Sequence, residues 1–411
     1  MIELPTPDEP AVSVIVLLDG AVGLAERCLT ALAACDDRVP FETVVLLNDP
    51  DPELEEFVRD GTRGARVVLS RANAGPGVGW NLGAAVARAP RLATLHEDSE
   101  PDPGWLAPLM EAMTEHGAGA VGSRLYDHDG SVQNCGWVLF SDASHQQLTE
   151  ADAPEVVAAT EPTPADMLSG AAMLVDREAV EAVGGWDERF HPAVFVDIDV
   201  STALWNLGKP VLSVPASRVR HESHSFDRRG NSALTGPRLR TVLFERNSVP
   251  FLEKWGPFVG ERAAPPDHTD PQSVREAVAA ALVLTRERAE RVRAGGWEAP
   301  RPDARAEPRF SALARSPVVE AGDGSFRVAP EVEAALAAAE AELVRDYCLW
   351  LVRKEEMEFE RLLAAHEELQ WWDGEAGALR RERDELAHRL NQILTGRTWR
   401  LRTAVARLLG R

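Results

Sequence analysis

The residues with the strongest chemical character lie where apolar runs stop. At 92–100 the run Leu92 to Leu95 empties into His96, Glu97, Asp98, Ser99 and Glu100. Strand interiors disfavour Asp and Glu, so carboxylates that end a strand need a reason. In open α/β sheets ligands sit outside the carboxyl ends of the strands. A carboxylate cluster there suits a divalent cation held against a phosphorylated substrate. The competing reading is an acidic turn that caps the next helix. Further along, Asp197 and Asp199 alternate with apolar residues ahead of a helix, a pattern that helix N-capping also explains. The run 210–226 ends in His221, Glu222 and His224, which a solvated turn would also accommodate.

A glycine-rich stretch, ANAGPGVGWNLG at 72–83, follows a strand-like run and opens a helix. Gly75, Gly77 and Gly79 suggest a dinucleotide fingerprint, but Trp80 stands where its third glycine belongs. Such a loop can still offer backbone N–H groups to a pyrophosphate. A tight turn that needs positive φ is the alternative.

These residues need a frame to position them. AVSVIVLL (11–18) and FETVVLL (41–47) are continuous apolar runs rich in β-branched residues, as in buried parallel strands. ARVVLS (65–70) predicts a third strand, and Leu24, Cys28, Leu29 and Leu32 fall at helical spacing between the first two. DMLSGAAMLVDR (166–177) is a further strand candidate with small residues at its centre. This alternation predicts an α/β fold with a mostly parallel sheet and helices on both faces. Residues 141–165 read as an irregular excursion, and 239–257 as a helix that closes the unit.

The chain has 411 residues, 66 acidic against 44 basic, for a net charge of -22. That opposes general nucleic-acid binding. The charge is uneven: residues 376–411 hold nine arginines against Glu382, Asp384 and Glu385. Four scattered cysteines without a CxxC pair argue against a disulfide framework or a zinc site. The N-terminal MIELPTPDEP is acidic and proline-rich, unlike a secretory leader, and no apolar run is long enough to span a membrane. A cytoplasmic location follows as the expectation.

From Val12 to Phe226 the order of signals resembles the family-2 glycosyltransferases of GT-A fold, and is similar to bacterial rhamnosyltransferase-like enzymes of polysaccharide synthesis. VSVIV with Arg27-Cys28-Leu29 resembles the first strand and helix. NAGPGVGWNLG resembles the N-x-G loop, and Leu95 to Trp105 the Asp-x-Asp region. SGAAMLVDR, GGWDERF and VDIDVSTALWNLGK resemble the later blocks. The resemblance implies an inverting transfer of a sugar from a nucleotide-diphosphate donor to a glycan or polyprenyl-linked acceptor. It implies Asp197 as general base with Asp199 in support. It places Asn48, Asn73, Gly75, Asn81, Glu97 and Asp98 on the donor side, and Gly170, Trp186 and Asp187 on the acceptor side. A divalent cation, Mg²⁺ or Mn²⁺, would be held by Asp98 and His221 with His96. The chain departs from the family pattern at Leu17, Leu47, His96 and Val196. Those departures keep two alternatives in view: a catalytically silent scaffold of the same fold, and a sugar nucleotidyltransferase.

The expected domains are 1–260 for the transferase, 261–330 as a Pro/Ala-rich linker with one helix near 272–293, and 331–411 as a helical region. Leu379, Leu386, Leu390 and Ile393 recur near heptad spacing, so 331–394 is a candidate for homo-oligomer formation. In 397–411, Leu401, Val405, Leu408 and Leu409 form an apolar stripe among arginines. That composition suits peripheral contact with an anionic membrane, the inner face of the plasma membrane being the expected site, or a helix docked on the acidic body.

Overall fold

The computed structural model describes residues 1–35, 38–222, 237–301, 304–306 and 317–371. His224, the heptad at 379–393 and the basic stretch 397–411 lie outside them. The chain divides into two compact units, 1–338 and 339–411.

Among the described residues, the first unit is built on a twelve-stranded mixed sheet. Its strands are β1 (Val12–Leu18), β2 (Phe41–Asn48), β3 (Arg66–Ser70), β4 (Arg91–His96), β5 (Ser99–Pro101), β6 (Ala120–Tyr126), β7 (Val132–Asn134), β8 (Thr163–Pro164), β9 (Ala172–Asp176), β10 (Val211–His221), β11 (Val318–Glu320) and β12 (Phe326–Val328). The order is β8-β10-β6-β9-β4-β1-β2-β3-β12-β11, with β5 on β10 and β7 on β6. Strands β3, β2, β1 and β4 are mutually parallel, as the apolar runs predicted. Strand β9 runs antiparallel between β4 and β6, which strand–helix alternation alone did not foresee.

The fully buried β1 shows why a continuous apolar run is needed: its alternate residues serve opposite faces. Val14, Val16 and Leu18 join the core that contains Cys28, Leu29 and Leu32 of α1 (Val22–Ala33) and Leu54 and Val58 of α2 (Pro52–Gly61). Ile15 and Leu17 face α3 (Gly75–Val86), against Gly83 and Gly79. A side chain on either glycine would collide with them, so these glycines bring the helix down onto the sheet.

Helix α4 (Leu106–His116) follows the acidic strand end, and α5 (Arg177–Ala182) follows β9. Helix α6 (Val196–Asn206) carries the paired aspartates, and α7 (Pro237–Val259) packs on its start. Helix α8 (Pro271–Arg293) forms where a helix was expected. Its Val274, Val278, Ala281 and Leu282 pack in a second core with Cys135, Val138 and Phe140. Helix α9 (Pro330–Trp371) follows, and 339–371 is the described part of the second unit. Among the described residues no helix is long and apolar enough to cross a membrane.

Candidate functional site

Strand order places the site. Chain direction across the sheet reverses between β1, which leads to β2 and β3, and β4 on its other side. Such a switch point opens a crevice at the carboxyl ends of the strands. Leu17 of β1 is paired with His96 of β4, so the Asp19-Gly20 turn and the acidic strand end meet there. Glu97 closes that crevice: its Oε2 accepts the N–H groups of Asp19 at 3.0 Å and Gly20 at 2.9 Å. The acidic segment does not cap α4, whose N-cap position is Trp105 with no side-chain bond.

The first cluster is His96, Asp98 and His221, whose candidate ligand atoms all lie within 4.8 Å of one another. His221 Nε2 is 3.4 Å and His96 Nδ1 3.9 Å from Asp98 Oδ1. The fold brings these residues together from two directions. His96 ends β4, His221 ends β10, and β5 pairs with β10 with Ser99 opposite His221. Ligands that each sit about 2.1 Å from one ion can be at most about 4.2 Å apart, so both separations admit a shared cation. Two imidazole nitrogens and a carboxylate oxygen fit a divalent transition metal by donor chemistry.

The second cluster is built on α6. Asp197 and Asp199 both lie in its first turn, yet neither caps it, the N-cap position being Phe195 with no side-chain bond. Asp197 Oδ2 instead accepts the N–H of Gly170 at 3.0 Å. Burial pushes the Asp197 carboxyl up to about 6, against which the Gly170 hydrogen bond acts only in part. Gly170 is required sterically, since a Cβ there would meet the Trp80 ring and stand 2.9 Å from Asp197 Oδ1. The buried Trp80 ring stacks on His96 with centroids 6.2 Å apart and packs on Trp186 at 5.6 Å. Trp80 therefore touches the surroundings of both clusters. The register of β9 on β4, Ala172 opposite Leu95, sets Gly170 beside the strand end.

Asp199 and Asp187 turn away from that opening into a buried ion-pair cluster. Lys254 Nζ of α7 lies 2.8 Å from Asp187 Oδ2 and 2.8 Å from Asp199 Oδ1. Trp255 Nε1 donates to Asp199 Oδ1 at 2.7 Å, and Arg189 reaches Asp187 Oδ2 at 2.8 Å. Burial raises both carboxyls. At Asp187 the hydrogen bonds of Arg189 and the charge of Lys254 win and hold it below the usual carboxylate range. Asp199 shares one cation with Asp187, and there burial wins, leaving its pKa raised. Two turns back along α7, Asn247 Nδ2 donates to the carbonyls of Ala193 at 2.8 Å and Val194 at 3.0 Å. Val194 and Phe195 both have positive φ, a costly conformation for such residues, and Asn247 braces it immediately before Asp197.

The remaining donor-side candidates form a floor. Asn48 Nδ2 donates to Asn73 Oδ1 at 3.0 Å and its Oδ1 accepts the N–H of Ala74 at 2.7 Å. The N–H of Gly75 is taken by Asn73 Oδ1 at 2.9 Å, and its positive φ places it against the Pro192 carbonyl. Asn81 clamps Trp186 from both sides, accepting its N–H at 3.0 Å and donating to its carbonyl at 2.8 Å. In the glycine loop, then, Ala74 and Gly75 direct their N–H groups to asparagine side chains, and the tight-turn reading describes them. Lys254, Trp255, Asn247 and Gln133 were not anticipated. Lys254 and Trp255 were visible only as part of the closing helix expected at 239–257, and no local pattern marks a lysine whose partners lie 55 and 67 residues away.

Comparison with known proteins covers part of this geometry. Residues 13–184 match the family model described as glycosyl transferase family 2. The chain is 28% identical over 236 residues to the O-antigen biosynthesis protein RfbC of Myxococcus xanthus, covering 54% of this chain and 18% of that protein. It is 31% identical over 156 residues to an N-acetylglucosaminyl-diphospho-decaprenol L-rhamnosyltransferase of Mycobacterium tuberculosis, covering 34% of this chain and 50% of that one. The chain thus spans half or less of the length of these relatives. Among solved structures it is similar to GalNAc-T7 with UDP, GalNAc and Mn²⁺, with a TM-score of 0.47 and 16% identity over 68% of this chain and 56% of that one.

Proposed function

We propose, from the match of residues 13–184 to the glycosyl transferase family 2 model, that this chain moves a sugar from a nucleoside-diphosphate donor to a hydroxyl of a glycan or lipid-linked acceptor, with inversion. One observation carries the reading: a carboxylate with its pKa raised to about 6 stands beside Trp80, which also stacks on the His96–Asp98–His221 cluster at the switch point of the sheet. A pKa of that value lets a carboxylate accept a proton near neutrality.

In this reading Asp197 takes the proton of the acceptor hydroxyl as its oxygen attacks C1 of the sugar. The C1–O bond to the diphosphate breaks, and its electron pair leaves with the nucleoside diphosphate. A single displacement of this kind inverts C1. Asp98, His221 and His96 would hold a divalent cation, which when bound neutralises charge on the departing diphosphate. Two imidazole donors favour Mn²⁺ over Mg²⁺, which prefers oxygen ligands and retains its waters. Glu97, Asn48 and Asn73 shape the donor floor, with Gly75 and Asn81 fixing the α3 segment. Trp186 and Gly170 line the acceptor side. Asp187 and Asp199 act indirectly, by anchoring the segment that carries Asp197 to α7.

The names of the RfbC and decaprenol-linked rhamnosyltransferase relatives support a cell-surface polysaccharide acceptor and a deoxysugar donor such as dTDP-rhamnose. The test is Asp197→Asn. Donor binding should persist while transfer falls roughly 10²–10⁴-fold, the usual contribution of a general base. Unchanged transfer would remove Asp197 from the mechanism.

A further inference from the structure

The reading of His96, Asp98 and His221 as a metal site depends on which nitrogen of His221 carries the proton. Resting on that reading, we infer that Gln133 is a positioning residue that holds His221 in the tautomer able to ligate a cation through Nε2. Gln133 lies on β7, antiparallel to β6, and its side chain reaches across to the end of β10. Gln133 Oε1 and His221 Nδ1 are 2.7 Å apart. Taken alone, that contact leaves open both the amide orientation and the tautomer.

The other end of the amide resolves it. Gln133 Nε2 is 2.9 Å from the carbonyl oxygen of His221 and 2.9 Å from Asp127 Oδ1. Both partners are acceptors with no proton to give: one is a peptide oxygen, the other a carboxylate oxygen. The two hydrogens of the amide nitrogen satisfy both. Turning the amide over would set its oxygen against two oxygens, so the orientation is determined by the network. With Oε1 then facing His221, the ring must present Nδ1–H as donor. In a neutral imidazole the other nitrogen, Nε2, carries the lone pair. That nitrogen is the one 3.4 Å from Asp98 Oδ1. Gln133 also grips the backbone of His221, so one side chain sets the ring's tautomer and the position of the residue that bears it. Partners of this kind behind ligating histidines commonly contribute a factor of 10–100 in metal affinity.

The experiment combines two readouts on the full chain: long-range ¹H–¹⁵N correlation of the His221 ring in metal-free protein, and Mn²⁺ affinity from electron paramagnetic resonance titration. For wild type the neutral ring should be protonated at Nδ1 and Mn²⁺ should bind. In Gln133→Leu the Nδ1–H signature should be lost and Mn²⁺ affinity should fall roughly 10–100-fold. The Tm of Gln133→Leu should stay within a few degrees of wild type, which separates this role from a general packing defect. A wild-type ring protonated at Nε2, or a Gln133→Leu variant that binds Mn²⁺ as tightly as wild type, overturns the inference. Nδ1–H in a wild type that binds no Mn²⁺ contradicts the metal reading itself, and with it the ligating role given to Nε2.

Discussion

At the scale of single residues, the chain sets its proposed base in a costly position. Burying Asp197 raises its pKa to about 6, so its charged form is less stable folded than unfolded. The folded state therefore holds the proton more tightly between the ordinary aspartate value near 4 and about 6. The sign follows: the contribution of this group to stability is greatest in acid and is lost as pH rises through 6. The form that can accept a proton is the destabilised one. Two outcomes are expected together. In a pH series, kcat/KM should climb through about 6 and level above it. Asp197→Asn should raise Tm at neutral pH relative to wild type, with the difference shrinking towards pH 4. A flat kcat/KM profile across pH 5–7 would contradict the role given to this carboxylate.

At the scale of elements, helix α7 is the brace for α6. Asn247, Phe251, Lys254 and Trp255 fall at helical spacing on one face, and all four are buried. Lys254→Met would strand the Asp187 and Asp199 carboxylates without their shared cation, at a cost of about 3–5 kcal/mol. The expected result is a large drop in Tm, with kcat reduced more than nucleotide affinity, since the lesion lies behind Asp197 and away from the donor floor. A Tm within a degree of wild type would show that this cluster is not what holds α6. The elements also show what can be read before folding. Strands β1 and β2 were legible because fully buried parallel strands need unbroken apolar runs, and the helix at 271–293 because its helix formers are flanked by proline and glycine. Strand β9 was legible as a strand, but its antiparallel direction was not, because strand direction depends on pairing that no local pattern encodes. His96, Asp98 and Asp197 stood out because carboxylates beside apolar runs need a local reason. Lys254 and Gln133 did not, because their partners are contributed by distant strands and helices.

At the scale of the whole molecule, charge separates the body from the tail. Residues 376–411 are net positive in a chain of net charge -22. We propose that the arginine-rich 397–411 contacts anionic lipid and brings the transferase to lipid-linked acceptors, and that 331–394 supports self-association. Removal of 397–411 should abolish co-sedimentation with phosphatidylglycerol vesicles and leave transfer to a soluble acceptor intact. Unchanged co-sedimentation would assign the arginines to another role. Each added salt increment should weaken vesicle binding, because surface charge attraction is screened over about 8–10 Å at physiological ionic strength.

The most direct test of the account is calorimetry of UDP, dTDP and GDP binding, with and without Mn²⁺, on wild type and Asp98→Ala. Asp98 is the shared centre of the His96 and His221 contacts. One diphosphate should bind wild type in a Mn²⁺-dependent manner, and Asp98→Ala should lose this dependence. Failure of all three to bind in the presence of Mn²⁺, or equal binding with and without Mn²⁺ in both proteins, would contradict it.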